Sequence, residues 1–149
     1  MSSRPTFTAN VKHPVLLGAG HAHVHVHVLQ GLAGHLPVGV NITVVTPYSR
    51  QLYSGMAPGF VAGHYLLGEC VIPLENLLAG CGARLIQSSA VAVDANAQTV
   101  TLANLDTLAY DLLSLDAGPA MDREQIESHM PGAHAHALFV RPVESFAAL

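Results

Sequence analysis

Two glycines and a histidine near residue 20 form the pattern in this sequence that carries the most specific chemistry. Gly18 and Gly20 follow the short apolar run 11–17, and a helix is expected to begin at about His21. A strand that ends on Gly-x-Gly and opens a helix is typical of dinucleotide binding. The first glycine allows a tight turn, the second lets the backbone approach a pyrophosphate, and the N–H groups of the helix face the phosphates. The third glycine of the pattern is replaced by His23.

The end of the second expected strand lacks the carboxylate that dinucleotide-binding folds often place there. Thr46 and Pro47 follow the β-branched run 40–45. Without an acid, ribose hydroxyls would need Thr46 or backbone groups as partners. Arg50 could instead meet a phosphate.

Four alternating histidines, His21, His23, His25 and His27, offer a competing chemistry. On a helix, His21 and His25 would be four residues apart, as would His23 and His27, and this spacing can chelate a metal. On a strand, all four would share one face. We favour the interpretation that the first two belong to the turn and that the others face solvent or the sheet, so no metal site is expected.

The surrounding elements alternate in the way that a Rossmann-like α/β fold requires. Val24, Val28 and Leu32 share one face of a helix expected over 21–33, between strands at 11–17 and 40–45. A further parallel strand is expected at 84–86, short helices at 59–66 and 73–78, and a final apolar strand at 112–116. Short alternating runs at 90–94, 99–102 and 108–110 predict a three-stranded antiparallel meander.

Composition excludes several classes of protein. Half of the 149 residues are apolar and 11% are charged, which excludes disorder as the main state. The net charge of −4 argues against nucleic-acid binding, although the first 68 residues hold three bases and no acid. Cys70 and Cys81 have no redox-motif spacing. With no signal peptide or apolar run long enough to span a membrane, a cytoplasmic location is expected.

Four segments carry a resemblance to known proteins: Val-Leu-Leu-Gly-Ala-Gly-His-Ala-His at 15–23, Thr-Pro-Tyr-Ser-Arg at 46–50, residues 52–59, and Tyr-Asp-Leu-Leu-Ser-Leu-Asp-Ala-Gly at 110–118. Together they resemble the FAD domain of pyridine nucleotide-disulfide oxidoreductase-type flavoproteins. The similarity is greatest to type II NADH dehydrogenases, including members fused to selenide, water dikinase, in which the Gly-x-Gly-His-x-His form recurs.

The resemblance implies FAD as cofactor and NAD(P)H as substrate of the full-length protein, with hydride passing to the flavin and electrons to an acceptor such as a quinone. It implies no catalytic side chain. The cofactor-binding residues that it implies fall into four groups: Gly18, Ala19, Gly20 and His21 at the pyrophosphate, followed in the same motif by Ala22 and His23; Thr46, Pro47 and Arg50 by the adenosine ribose and phosphates; Ala90 and Val91 at the adenine; and Ala117 and Gly118 at the phosphate-ribityl side.

The expected organisation is a flexible N-terminus at 1–10, a FAD-binding domain at 11–120, and a tail or linker at 121–149 that leads to an NADH-binding portion of the same protein. This chain alone is expected to be inactive and to self-associate through uncovered apolar surface. In the full-length protein, a peripheral position at the inner face of a membrane is compatible with the resemblance. Two alternatives stay open: a stand-alone NAD(P)-binding module without redox turnover, in which Arg50 serves a 2′-phosphate, and a histidine-rich metal-binding protein.

Overall fold

The computed structural model describes residues 11–20, 28–119 and 121–143. Within them lie nine strands: β1 (Pro14–Leu17), β2 (Thr43–Thr46), β3 (Arg50–Leu52), β4 (Val71–Pro73), β5 (Arg84–Gln87), β6 (Ala90–Asp94), β7 (Thr99–Leu102), β8 (Thr107–Ala109) and β9 (Leu112–Leu115). The helices there are α1 (Leu29–Leu32), α2 (Ala57–Val61), α3 (Leu74–Cys81), α4 (Arg123–His129) and α5 (Ala133–His136). Short 3-10 turns occupy Ser54–Met56 and Leu67–Cys70.

Four strands form a parallel sheet in the order β5-β2-β1-β9. Val15 is opposite Thr43 on one side and Leu113 on the other. β1 is apolar throughout and β2 carries two buried valines at its centre, because both faces of the sheet are covered, as is usual for parallel sheets. The predicted α/β fold class is confirmed, with four parallel strands.

Alternate residues of the central strands enter two different cores, because successive side chains of a strand point to opposite faces. On one face, Leu16 and Val44 pack with residues of α1 and α3, including Leu29 and Leu74, both 0% exposed. On the other face, the cluster joins the sheet to the antiparallel meander and consists of Val15, Leu17, Val45, Val100 and Leu102.

The meander has the predicted three antiparallel strands, in the order β6-β7-β8. Only β7 buries side chains fully: Val100 is 0% exposed, whereas every residue of β6 is exposed. The meander therefore covers the sheet through β7 and leaves β6 at an edge.

Helix bounds differ from the sequence prediction for local reasons. α2 begins before the predicted residue 59, because Pro58 fits the first turn of a helix, where its missing N–H costs nothing. α3 extends past the predicted residue 78 to Cys81 and ends at Gly82, which has a left-handed φ of 67°. Pro73 precedes this helix as its N-cap residue.

The hairpin of β3 and β4 was not predicted. Arg50 is opposite Pro73 and Leu52 is opposite Val71. Each strand has three residues, which is too short for periodicity, and a long connection separates the two strands.

Part of the predicted helix at 21–33 is present as α1, whereas residues 21–27 lie outside the described residues, as do 1–10, 120 and 144–149. The segment expected to be a tail or linker contains α4 and α5. No helix within the described ranges is long and apolar enough to cross a membrane.

Candidate nucleotide-binding cleft

A cleft of about 640 Å³ lies at the carboxyl ends of the parallel strands. Within the sheet, β1 has β2, the next strand in the chain, as one neighbour and β9, the last strand, as the other, so the strand order reverses at β1. Ligands of open α/β sheets bind at such a point, where neighbouring connections leave in opposite directions. The cleft is lined by the segments 17–20, 45–48, 88–93 and 115–119 except Asp116, and by Gln51 and Pro142.

The turn after β1 is held from both sides by backbone hydrogen bonds. Gly18 N donates to the carbonyl oxygen of Val45 at 2.8 Å, and Gly20 N donates to that of Asp116 at 3.1 Å. Gly18 has φ +88°, a conformation that side-chain-bearing residues rarely adopt. A Cβ on Gly18 would also lie 2.7 Å from the Cα of Ala117. Both glycines are thus required by the close approach of the segment after β9.

Ala19, between the two glycines, has a buried backbone N–H to which no other described residue offers a hydrogen-bond acceptor. The residue is 5% exposed and lines the cleft. A buried N–H without a partner costs free energy, and most are paired in native proteins. An acceptor oxygen supplied by a ligand phosphate would satisfy this group, so the turn fits a pyrophosphate.

No Asp, Glu, Lys or Arg lines the cleft among the described residues. The pyrophosphate would therefore be held by backbone dipoles rather than by a guanidinium or ammonium group. Thr46 is 3% exposed, and its Oγ1 accepts a hydrogen bond from the backbone N of Tyr48 at 3.4 Å. The Thr46 side chain is thus largely committed to the protein interior, while Pro47 beside it lines the cleft.

The cleft brings together nine of the residues that the sequence analysis singled out. They are Gly18, Ala19, Gly20, Thr46, Pro47, Ala90, Val91, Ala117 and Gly118. Their role in binding FAD stays a prediction. His21, Ala22 and His23 lie outside the described residues.

Arg50 is not part of this cleft. Its exposed side chain lines a different groove of about 770 Å³, beside Glu75 and Gln87. The hairpin that places Arg50 there is the element that sequence reasoning missed.

Ser88, Ser89, Gln51 and Pro142 line the cleft and were not singled out from the sequence. The serine pair had a usable signal, because it directly follows a parallel strand, where ligand-binding loops lie. Pro142 had no local signal, since it reaches the cleft only through the return of the chain after α5.

The histidine alternation that suggested a metal lies at 21–27, outside the described residues. Elsewhere, across 11–20, 28–119 and 121–143, no three His, Cys, Asp or Glu side chains form a group that could hold a metal ion.

Several solved structures share this architecture, whereas no protein-family model matches the sequence. NDH2 from Plasmodium falciparum, solved in complex with NADH, superposes with a TM-score of 0.71 at 16% identity, over 93% of this chain and 27% of that one. The sulfide:quinone oxidoreductase from Aquifex aeolicus superposes with a TM-score of 0.64 at 20% identity, over 85% of this chain and 33% of that one. For NADH:rubredoxin oxidoreductase from Clostridium acetobutylicum the TM-score is 0.55 at 19% identity, and the match covers 70% of this chain and 27% of that one.

The chain thus spans about a quarter to a third of the length of these proteins. At such low identity the likeness shows the fold. The resemblance to pyridine nucleotide-disulfide oxidoreductase-type flavoproteins is confirmed at that level, and the comparisons do not show the fusion to selenide, water dikinase. This chain has the Rossmann-like α/β fold of these oxidoreductases.

Proposed function

We propose that this chain is the FAD-binding portion of an NAD(P)H-dependent flavin oxidoreductase. The observation that carries the proposal is the buried Ala19, which lines the cleft at the ends of the parallel strands and whose backbone N–H has no partner among the described residues. A nucleotide pyrophosphate is the ligand that such a glycine-flanked turn accommodates best.

In this proposal each wall of the cleft has a separate task. The 18–20 turn binds the pyrophosphate through backbone N–H groups. The adenosine lies towards Pro47 and the 88–91 segment, where Ser89 adds a hydroxyl and Ala90 and Val91 offer backbone atoms. The flavin side passes Ala117 and Gly118.

FAD, when bound, supplies the redox chemistry, because its flavin accepts a hydride and passes electrons to an acceptor such as a quinone. The residues of this chain bind and orient it. No Asp, Glu, Lys or Arg lines the described part of the cleft, so the residues there would hold the cofactor through backbone and neutral groups.

The second part of the proposal is that turnover needs further portions of the same protein, including one that binds NAD(P)H. β9 pairs only with β1, and its outer edge has no partner among the described strands. Leu112 and Leu115 on this strand are 61% and 67% exposed. Exposed apolar side chains along an open strand edge favour coverage by more of the protein.

The visible absorption spectrum of the purified chain, after addition of FAD and desalting, tests the proposal. We expect retained flavin bands in the wild type and in Gly80→Ala, where a Cβ meets no atom within 4 Å. We expect their loss in Gly20→Ala, where a Cβ would overlap the Asp116 side chain.

Failure to take up FAD, both in this chain and in a longer one that includes the following residues, would contradict the proposal. Tighter binding of NADP than of FAD in the same titration would then favour the stand-alone NAD(P)-binding module. Metal bound at unit stoichiometry, and lost on replacement of His23 and His27 by Ala, would favour the metal-binding alternative.

A further inference from the structure

A separate, mostly apolar groove of about 450 Å³ lies between α2 and the segment 140–143. We name it the α2 groove. Its apolar lining comes from Ala57, Pro58 and Val61 on the helix side and from Val140 and Val143 on the other. Its polar lining consists of Ser54 and Arg141.

Both walls of the α2 groove are anchored to a small core beneath it. Val143 is 7% exposed and clusters with Leu52 and Cys70, which are 5% and 1% exposed. On the helix side, Ala57 and Phe60 pack against the same cluster. The walls are held apart by packed side chains, so the groove is formed before any ligand arrives. Its volume lies within the range of about 300–1,000 Å³ that is usual for small-molecule sites.

Within the described part of the chain, the two polar groups of the groove have no hydrogen-bond or ion-pair partner. Arg141 is partly buried, and no carboxylate of a described residue forms an ion pair with its guanidinium. None of the described residues that line the groove is an acid. Ser54 is also partly buried, and its hydroxyl makes no hydrogen bond with another described residue. A guanidinium that is partly withdrawn from water favours a carboxylate, with which it forms two parallel hydrogen bonds.

The apolar wall calls for a ligand with an apolar body. Val61 is 67% exposed and Val140 is 44% exposed, although both line the groove. Covering these two side chains with a hydrocarbon chain would remove apolar area from water, which is favourable.

We propose that the α2 groove binds an amphiphile with a single carboxylate head and a linear apolar chain, of the medium-chain fatty-acid type. The head pairs with Arg141 and accepts a hydrogen bond from the Ser54 hydroxyl. The chain lies against Val61 and Val140.

This site is distinct from the nucleotide cleft and does not rest on the function proposed above. Pro142 lines the nucleotide cleft, whereas its neighbours Arg141 and Val143 line the α2 groove. The two cavities therefore meet at one short segment, and binding to the groove can be measured with or without FAD.

Isothermal titration calorimetry with three ligands of equal chain length tests the charge of the head. The probes are decanoate, decanol and decyltrimethylammonium, each kept below its micelle concentration. We expect decanoate to bind most tightly and the cationic probe most weakly. Equal binding of decanol and decanoate, or no decanoate binding, would overturn the proposal.

Two pairs of variants locate the site. Arg141→Gln should weaken decanoate binding at least about tenfold, the usual scale for loss of a charge-assisted hydrogen bond. Arg84→Gln, which removes an exposed arginine of β5 outside the groove, should leave it unchanged. If decanoate affinity fell equally in both variants, the net charge of the protein and not the groove would attract the anion, and the proposed site would be wrong.

The second pair separates electrostatics from damage to the fold. Val61→Glu and Val61→Lys place long side chains of comparable length and opposite charge at the same exposed position of α2. We expect the first to abolish decanoate binding and the second to retain it. Loss in both variants while the circular dichroism spectrum and thermal midpoint stay at wild-type values would overturn the assignment of the head.

Discussion

The side chain of Asp116 occupies the space that a Cβ on residue 20 would need. The backbone N–H of Gly20 donates to the carbonyl oxygen of the same aspartate at 3.1 Å. The turn after β1 and the segment after β9 therefore fit together only if residue 20 is glycine. This contact joins two segments almost a hundred residues apart at the floor of the nucleotide cleft.

Gly20→Ala should destabilise the protein. The added methyl group would meet the Asp116 side chain and lie 2.6 Å from its carbonyl oxygen, and backbone atoms cannot move aside cheaply. We expect the free energy of unfolding to fall by ~1–3 kcal/mol, the usual cost of overpacking. Urea denaturation followed by circular dichroism measures it.

Gly31→Ala is the matched control for that substitution. Gly31 lies in α1, and a Cβ there meets no atom within 4 Å. Alanine should raise the free energy of unfolding by up to ~1 kcal/mol, because it favours the helix more than glycine does. Equal effects of the two substitutions would contradict the role given to Asp116.

Acid should weaken the α4–α5 pair through Glu127. The backbone N–H groups of His134 and Gly132 both donate to its carboxylate at 2.7 Å, and these bonds hold the pKa of Glu127 below its ordinary value of 4.5. Because the pKa is lower in the folded state, the stabilising contribution is complete above about pH 4.5 and is lost as the pH falls from there through the lowered pKa.

Glu127→Gln should remove this part of the acid dependence, whereas Glu124→Gln on the same helix should leave it in place. The test is the thermal midpoint of the wild type and both variants, measured between pH 6 and pH 3. We expect the variants to differ in this midpoint by about a degree at acid pH. A wild-type acid dependence retained in Glu127→Gln would contradict it.

Arg50 should contribute little to FAD affinity. Its side chain lines a groove with Glu75, outside the nucleotide cleft. Arg50→Gln should therefore leave the dissociation constant for FAD unchanged, whereas Ala90→Trp, which puts a large ring into the cleft, should raise it. Fluorescence titration of FAD measures both constants. A dissociation constant for FAD that rises about tenfold in Arg50→Gln would instead support the phosphate contact that the sequence resemblance implies.

The open edge of β9 should make the isolated chain self-associate. Leu112 is 61% exposed on this edge strand, and open edges with apolar side chains pair readily with other chains. Sedimentation velocity should show mass increasing with concentration. Leu112→Lys should reduce this association, and Val38→Lys should not, because Val38 is fully exposed in a loop and is not part of strand β9. A wild-type chain that stays monomeric at high concentration would contradict the prediction.

The local parts of the architecture were predictable from the sequence. The runs that became β1, β2, β5 and β9 are short and apolar, and the meander strands alternate, because burial on one or both faces imposes these patterns on neighbouring residues. The Gly18–Gly20 turn was also predictable, because the residues that form it are consecutive in the sequence.

Only the tertiary structure decided which distant residues meet. The pairing of Arg50–Leu52 with Val71–Pro73 places Arg50 at a groove beside Glu75, whereas the resemblance implies a contact with the cofactor phosphates, which stays a prediction. The return of the chain after α5 put Pro142 in the nucleotide cleft and Arg141 in the α2 groove. The sequence by itself determined the parallel strands, the antiparallel meander and the glycine turn. The contacts of Asp116, Arg50 and Arg141 depend on how separate elements pack, and no local pattern of residues encodes that packing.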